Sequence, residues 1–133
     1  MGLRKLKMDR DPLVLVVDDN EDNRDIYAAS LRHKGYLVEV AADGMEALDI
    51  ARRLRPVIVV MDLGMPGMDG WDAIAALRAT PDTRDTYVIV VSGFADTTSR
   101  KRARDAGCDE FLAKPCLPKV LIERIAEVLK KRR

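Results

Sequence analysis

The chain has 133 residues, with 23 Lys and Arg against 22 Asp and Glu and a net charge of +1. This length suits one domain with a single core and leaves no room for a second folded domain. The balanced charge gives no long-range attraction to nucleic acid, and the longest apolar runs, about five residues, are far shorter than the roughly 20 residues of a membrane-spanning helix.

A polar stretch, residues 1–11, precedes the first predicted strand and is expected to be an N-terminal extension. Its sequence lacks the apolar core of a signal peptide, so we expect a cytoplasmic protein with no membrane contact. Cys108 and Cys116 are expected to be free thiols, as is usual for two cysteines in such a chain.

Short runs rich in β-branched residues alternate with longer stretches that carry apolar residues at helical spacing. The runs predict five strands, in chain order Leu13–Val17, Leu37–Val40, Val57–Met61, Tyr87–Val91 and Glu110–Leu112. The stretches between and after them predict five helices, over Glu21–Lys34, Met45–Leu54, the repeat Trp71, Ile74 and Leu77, Thr98–Ala106 and Pro118–Lys130.

Alternating strands and helices, with strands that are continuously apolar, are typical of a parallel sheet covered by helices on both faces. The sequence therefore predicts a doubly wound α/β domain. In such sheets ligands bind beyond the carboxyl ends of the strands, where the winding direction reverses. The residues that follow each strand are therefore the candidates for a site.

Polar residues follow four of the five predicted strands. Asp18 and Asp19 follow the first strand, Asp62 the third, Ser92 the fourth and Lys114 the fifth. If the first and third strands are neighbours, three carboxylates converge, and they would repel one another unless a cation held them. Their oxygen atoms are the ligands that Mg²⁺ prefers, so Asp18, Asp19 and Asp62 predict a magnesium site.

The same residues fit phosphoryl transfer. A carboxylate can accept a phosphoryl group as an aspartyl-phosphate, and Asp62 is the candidate. A metal bridging the carboxylate and phosphoryl oxygens, with Lys114 and Ser92 on the remaining oxygens, would spread the charge of the transferring group.

Each of these residues, taken alone, has a simpler explanation. The acids and Asn of "DDNEDN" fit helix capping, Asp62 before "LGMPGMDG" fits a turn, and Lys114 fits a solvated lysine. Their common position at the carboxyl ends of strands in one predicted sheet favours a shared site.

Four motifs, "VVDDN", "VVMDLGMPGMDG", "VVSG" and "FLAKP", occur in an order and spacing that resemble the receiver domain of two-component response regulators over about residues 12–131. The resemblance implies a flavodoxin-like sheet of strand order 2-1-3-4-5 with helices on both faces. It implies that Asp62 is the phosphoacceptor, that Asp19 binds Mg²⁺ or Mn²⁺ directly with help from Asp18, and that the backbone carbonyl of Gly64 is a further ligand.

The resemblance also assigns the phosphoryl contacts and a switch. Ser92 and Lys114 would contact the phosphoryl group, and the peptide between Lys114 and Pro115 would be cis. Phe111 would be the aromatic residue whose rotamer couples to Ser92.

Several positions depart from the commonest pattern of the family. Ser92 stands where Thr is more usual, and it lacks the methyl group that fixes the side chain. Phe111 stands where Tyr is frequent, so no phenol is present. Gly64 and Phe94 occupy positions that often carry polar side chains and that tune loss of the phosphoryl group.

Three other functions remain open. A phosphatase of the haloacid dehalogenase type uses similar groups, but places its nucleophile after the first strand in a D-x-D pattern. A flavodoxin-like flavin carrier needs a phosphate-binding loop there, where acids would repel phosphate. A degenerate receiver would be a binding module only, although every residue of the acceptor site is present.

The resemblance implies that a histidine kinase or a histidine phosphotransfer protein is the donor, and that the chain catalyses only its own phosphorylation and dephosphorylation. A downstream protein is expected on the face formed by the fourth helix, the fifth strand and the fifth helix, especially if no output domain follows Lys130. A homodimer on phosphorylation is also allowed. The basic stretches "SRKRARD" and "KKRR" are interpreted as solvated rather than as a nucleic-acid surface.

Overall fold

The computed structural model describes residues 12–131. The expected extension over residues 1–11 and the last two arginines of "KKRR" lie outside the described residues. Strands and helices alternate along the chain as β1 Leu13–Val17, α1 Glu21–His33, β2 Leu37–Ala41, α2 Gly44–Leu54, β3 Ile58–Met61, α3 Gly70–Ala79, β4 Tyr87–Ser92, α4 Thr97–Ala106, β5 Glu110–Ala113 and α5 Pro118–Lys131.

The strands form one parallel sheet in the order β2-β1-β3-β4-β5. The predicted doubly wound fold and its strand order are confirmed. In the sheet register Val17 lies opposite Met61, and Met61 lies opposite Val90. The carboxyl ends of β1, β3 and β4 therefore lie side by side at one edge of the sheet.

The core has two layers because successive residues of a strand point to opposite faces of the sheet. Leu15, Val59 and Val88 pack on one face with apolar residues of α2, α3 and α4. Val14 and Ile58 pack on the other face with apolar residues of α1 and α5. The central strands are buried on both faces, which explains why their sequences are continuously apolar.

Side-chain caps decide where four of the helices begin. Asn20, Asp43, Asp69 and Asp96 precede α1 to α4, and each accepts a hydrogen bond from the backbone N–H three residues later. The caps at Asp43 and Asp96 place the starts of α2 and α4 one residue before the predicted starts.

The remaining boundaries either agree with the prediction, as both ends of β1 do, or differ from it by one residue, and α3 is predicted only by its repeat. Strands β2, β4 and β5 extend to Ala41, Ser92 and Ala113, whereas β3 begins at Ile58. Helix α1 ends at His33 because Lys34 is its C-cap, and α5 continues to Lys131. Within residues 12–131 no helix combines the length and apolar character needed to cross a membrane.

Candidate functional site

Three acidic side chains converge beyond the ends of β1 and β3. One carboxylate oxygen from each of Asp18, Asp19 and Asp62 lies within 4.8 Å of the others. The ladder between the strands continues into the site, since the backbone N–H of Asp62 donates to the carbonyl of Val17 at 3.0 Å. Asp18 and Asp62 are buried, with 3% and 8% exposure, and Asp19 is exposed. The adjacency of β1 and β3 thus brings Asp62 next to Asp18 and Asp19, which precede it by 44 and 43 residues in the chain.

Lys114, which follows β5, reaches into this acidic cluster from the other side. Its Nζ donates to Oδ2 of Asp18 at 3.1 Å and to Oδ2 of Asp62 at 3.4 Å. Burial opposes the charge on this lysine, but the carboxylates of Asp62 and Asp18 outweigh burial and raise the pKa of Lys114. The lysine is therefore held charged beside the candidate phosphoacceptor.

Burial raises the pKa of the Asp62 carboxyl, and the neighbouring charge of Asp18 adds to the shift. The ammonium of Lys114 and a 2.8 Å hydrogen bond from the backbone N–H of Leu63 lower the pKa without cancelling the rise. The pKa of the Asp62 carboxyl therefore stays above its usual value, and a bound cation would counteract that rise.

The donor set fits a small divalent cation. Among residues 12–131, these three carboxylates meet one ammonium group, that of Lys114, so negative charge is in excess. One of the three candidate ligands, Asp19, is open to solvent. Hard oxygen ligands with room for water are what Mg²⁺ takes in proteins. Asp18, Asp19 and Asp62 could therefore hold a metal ion.

In the turn after β1, the residue that caps α1 is different from the residues of the acidic cluster. Asn20, not an acid, caps α1 by accepting from the N–H of Asn23 at 2.9 Å. Oδ1 of Asp18 accepts from the N–H of Asn20 at 2.9 Å, and Arg24 of α1 donates to the backbone carbonyl of Asp18 at 3.0 Å. The capping interpretation thus applies to Asn20, while Asp18 and Asp19 remain with the cluster.

Ser92 is fully buried at the end of β4. Its Oγ accepts from the backbone N–H of Phe94 at 3.1 Å, and its carbonyl accepts from the N–H of Lys114 at 2.9 Å. The ring of Phe94 lies against Gly64, where an added Cβ would stand 2.4 Å from the ring. Ser92, Lys114 and the Gly64 loop are thus tied to one another around the ends of β3, β4 and β5.

Phe111 is half-buried on β5, opposite Val90 of β4. The guanidinium of Arg100 lies 4.6 Å from the centre of its ring. The peptide between Lys114 and Pro115 is cis, as the resemblance implies.

Three residues of the site escaped the sequence analysis. Arg24 contacts the backbone of Asp18, and Tyr27 donates through its hydroxyl to the carbonyl of Cys116 at 2.8 Å, beyond the cis peptide. Gly70 lies so close to Asp62 that a Cβ would stand 2.2 Å from its carbonyl oxygen. Only the glycine had a sequence signal, its place just before the third predicted helix.

A doubly wound parallel sheet with an acid pair after β1, an aspartate after β3, and a hydroxyl and a lysine at the same edge is typical of α/β phosphoacceptor signalling domains. Residues 14–126 match the family model described as the response regulator receiver domain. The chain belongs to this family.

Named relatives and solved structures agree with this assignment. The chain is 38% identical over 118 residues to the response regulator MprA of Mycobacterium sp. strain KMS and 37% identical to that of Mycobacterium leprae, covering 89% of itself in both cases. It spans about half the length of these relatives, 50% and 51%.

Among solved structures, the chemotaxis protein CheY4 of Vibrio cholerae has a TM-score of 0.84 at 30% identity, over 89% of this chain and 98% of the other. A CheY-like receiver domain from Methanospirillum hungatei has a TM-score of 0.85 at 27% identity, over 91% and 95%.

Proposed function

We propose that this receiver domain accepts a phosphoryl group on Asp62, with Mg²⁺ bound by Asp18, Asp19 and Asp62, from a histidine kinase or a histidine phosphotransfer protein. The observation that carries the proposal is the contact of Lys114 with both buried carboxylates, inside a cluster of three acids. The proposal also includes the expected domain limits, residues 12–131, and a cytoplasmic location.

In the proposed reaction a carboxylate oxygen of Asp62 attacks the phosphorus of a phosphohistidine. The new O–P bond forms as the P–N bond breaks, and the electron pair leaves with the imidazole of the donor. The charge on the phosphoryl oxygens is met by the Nζ of Lys114 and by the hydroxyl of Ser92. This hydroxyl already accepts from Phe94, so its hydrogen remains to be donated.

Mg²⁺ or Mn²⁺, when bound, would offset the negative charge on oxygens of the Asp62 carboxylate and of the phosphoryl group. Asp19 supplies the solvent-facing ligand and Asp18 the buried one, with the backbone carbonyl of Gly64 as a further proposed ligand. Lys114 limits how many oxygens of Asp18 and Asp62 face a cation, because its Nζ already holds Oδ2 of each.

The proposed output is a change of the face formed by α4, β5 and α5, where a downstream protein would bind or a second copy would associate. Phe111 lies at this face, half-buried and covered by Arg100. Ser92 is the proposed other half of the switch, and the backbone pairing of Ser92 with Ala113 ties it to the strand that carries Phe111.

The alternative functions are not favoured. The nucleophile candidate follows β3 and the acid pair follows β1, the reverse of the order expected in a haloacid dehalogenase type phosphatase, and acids stand where a flavin phosphate would bind. The intact acceptor site argues against a receiver that only binds. We propose that the chain turns over no substrate besides its own aspartyl-phosphate.

The test is mass spectrometry of the protein after reaction with acetyl phosphate and Mg²⁺, with borohydride trapping of the aspartyl-phosphate. Label is expected on Asp62 and is expected to be lost in Asp62→Asn and in EDTA. Asp72→Asn, a change of an exposed acid on α3, is the control and should keep the label. Undiminished label in Asp62→Asn or in EDTA would refute the assignment.

A further inference from the structure

Helix α4 is held against the domain with little apolar burial. Of its ten residues, all within the described part of the chain, Ala103 alone is buried. Arg100, Lys101, Arg102 and Arg104 are charged and exposed. A helix with so little apolar contact opens more easily than the core unless other contacts hold it.

Trp71 of α3 supplies such contacts. Its indole N–H donates to the carbonyl of Ser99 at 3.3 Å, and the guanidinium of Arg102 lies 4.3 Å from the centre of its ring. The ring of Phe94 meets it edge to face, with centroids 6.0 Å apart. Trp71, Phe94, Ser99 and Arg102 are called the Trp71 clamp below.

The Trp71 clamp is connected to the backbone around the phosphoacceptor in two ways, through the neighbouring residue Gly70 and through its own member Phe94. Gly70, the residue before Trp71, is packed so tightly on Asp62 that a Cβ would stand 2.2 Å from the Asp62 carbonyl oxygen. Phe94, at the other end of the clamp, rests on Gly64. Small displacements at the acceptor loop therefore reach the indole from both sides.

The hydroxyl of Ser92 is the element that can release the clamp. The backbone N–H of Phe94 donates to this hydroxyl at 3.1 Å. If Ser92 moves toward a phosphoryl oxygen, the Phe94 peptide must follow or lose its hydrogen bond, and either change shifts the ring that rests on Trp71.

We propose that the Trp71 clamp is a regulatory device that holds α4 in place while Asp62 is unmodified and frees it on phosphorylation. The inference rests on the proposed phosphorylation of Asp62 and adds a second route from Ser92 to α4, separate from the proposed coupling between Ser92 and the Phe111 rotamer. A cation–π contact at an exposed site changes an equilibrium only about two- to fivefold. A clamp of this strength biases α4 between two positions without locking it.

The first experiment measures amide hydrogen exchange of residues 97–106 in the unmodified protein. Arg102→Gln removes the cation and Trp71→Phe removes the N–H donor while keeping a ring. Arg104→Gln is the matched control, because it makes the same charge change on α4 at a residue that stacks on no ring within residues 12–131. Exchange is expected to be about two- to fivefold faster in the first two variants and unchanged in the control. Equal exchange in all three variants would overturn the clamp.

The second experiment follows the emission of Trp71, the single tryptophan, and the same amides in wild type with acetyl phosphate and Mg²⁺. The fraction of Asp62 phosphorylated is measured by trapping in the same sample. Emission is expected to shift, and exchange to approach that of Arg102→Gln. Phosphorylated protein with unchanged emission and exchange would overturn the regulatory role. Failure to label Asp62 would instead refute the proposed function and with it the regulation, while the unmodified variants still decide whether the clamp holds α4.

Discussion

Addition of Mg²⁺ is expected to stabilise the metal-free domain strongly, and Asp19→Asn is expected to weaken that response. The carboxylate oxygens of Asp18, Asp19 and Asp62 lie within 4.8 Å of one another. Two unit charges at that separation repel by about 3.5 kcal/mol at an effective dielectric constant of about 20. Lys114 offsets part of this repulsion, and a divalent cation would offset the rest.

The size of the effect follows from binding linkage. A ligand present at about 100 times its dissociation constant stabilises the fold by about 2.7 kcal/mol. For a domain of this length one kcal/mol raises the melting temperature by about 3–5 °C, so the expected rise is about 10 °C. Asp19 is exposed, so its replacement by Asn costs little packing. A roughly tenfold loss of affinity would remove about 1.4 kcal/mol of the stabilisation at the same Mg²⁺ concentration.

The assay is thermal unfolding followed by circular dichroism across a Mg²⁺ titration. Asp25→Asn, which changes an exposed acid of α1 outside the cluster, is the control and should respond as wild type does. An unchanged melting temperature of wild type at saturating Mg²⁺ would refute the metal site. An Asp19→Asn response equal to that of wild type would refute the role of Asp19 as a ligand.

The remaining predictions concern the pH dependence of stability, the packing of two glycines and the hydrogen bonds of a half-buried arginine. Because burial raises the pKa of Asp62, this carboxyl stabilises the fold below its unfolded pKa of about 3.9, and that stability is lost as the pH rises through the folded pKa. In urea unfolding without metal, the free energy of unfolding of Asp62→Asn should therefore exceed that of wild type at pH 7 but not near pH 4. An equal difference in this free energy at the two pH values would contradict the prediction. Gly70→Ala should lower the free energy of unfolding by about 1–3 kcal/mol, because the new Cβ meets backbone atoms. Gly64→Ala should lower it by less, because its Cβ meets the Phe94 ring at the surface. Equal losses of stability in the two variants would contradict this reasoning. Arg78→Ala should lower the free energy of unfolding by about 2–4 kcal/mol, since the Arg78 guanidinium donates to three carbonyls and a carboxylate. The control Arg53→Ala, at an exposed residue, should lower it by under about 0.5 kcal/mol. Similar losses in the two variants would show that the hydrogen bonds of Arg78 add no stability.

The proposed metal site and the contacts of the Trp71 clamp in the unmodified protein can fail independently, whereas release of α4 depends on phosphorylation of Asp62. The proposed metal binding does not require phosphorylation of Asp62, and the proposed clamp can hold α4 whether or not its release carries a signal. Each experiment above therefore tests one part. Loss of the metal response would leave the packing of α4 unaffected, because the clamp contacts are with aromatic rings and a backbone carbonyl.

Much of the fold could be predicted from the sequence because its signals are local. Continuous β-branched runs such as Leu13–Val17 require burial on both faces, and capping residues such as Asp69 mark helix starts within a few positions. The alternation of these elements leaves a parallel sheet as the natural arrangement. The candidates Asp18, Asp62 and Lys114 could be found because the carboxyl ends of parallel strands share one edge.

Tertiary structure alone decided which groups touch. The contact of Lys114 with both Asp18 and Asp62, over 96 and 52 residues of chain, depends on the order of the strands and on side-chain reach. The convergence of Arg102 and Phe94 on Trp71 has no local sequence pattern. Spacing along a chain reports the face of a helix or strand, whereas contacts between elements depend on how whole layers pack, which no short stretch of sequence encodes.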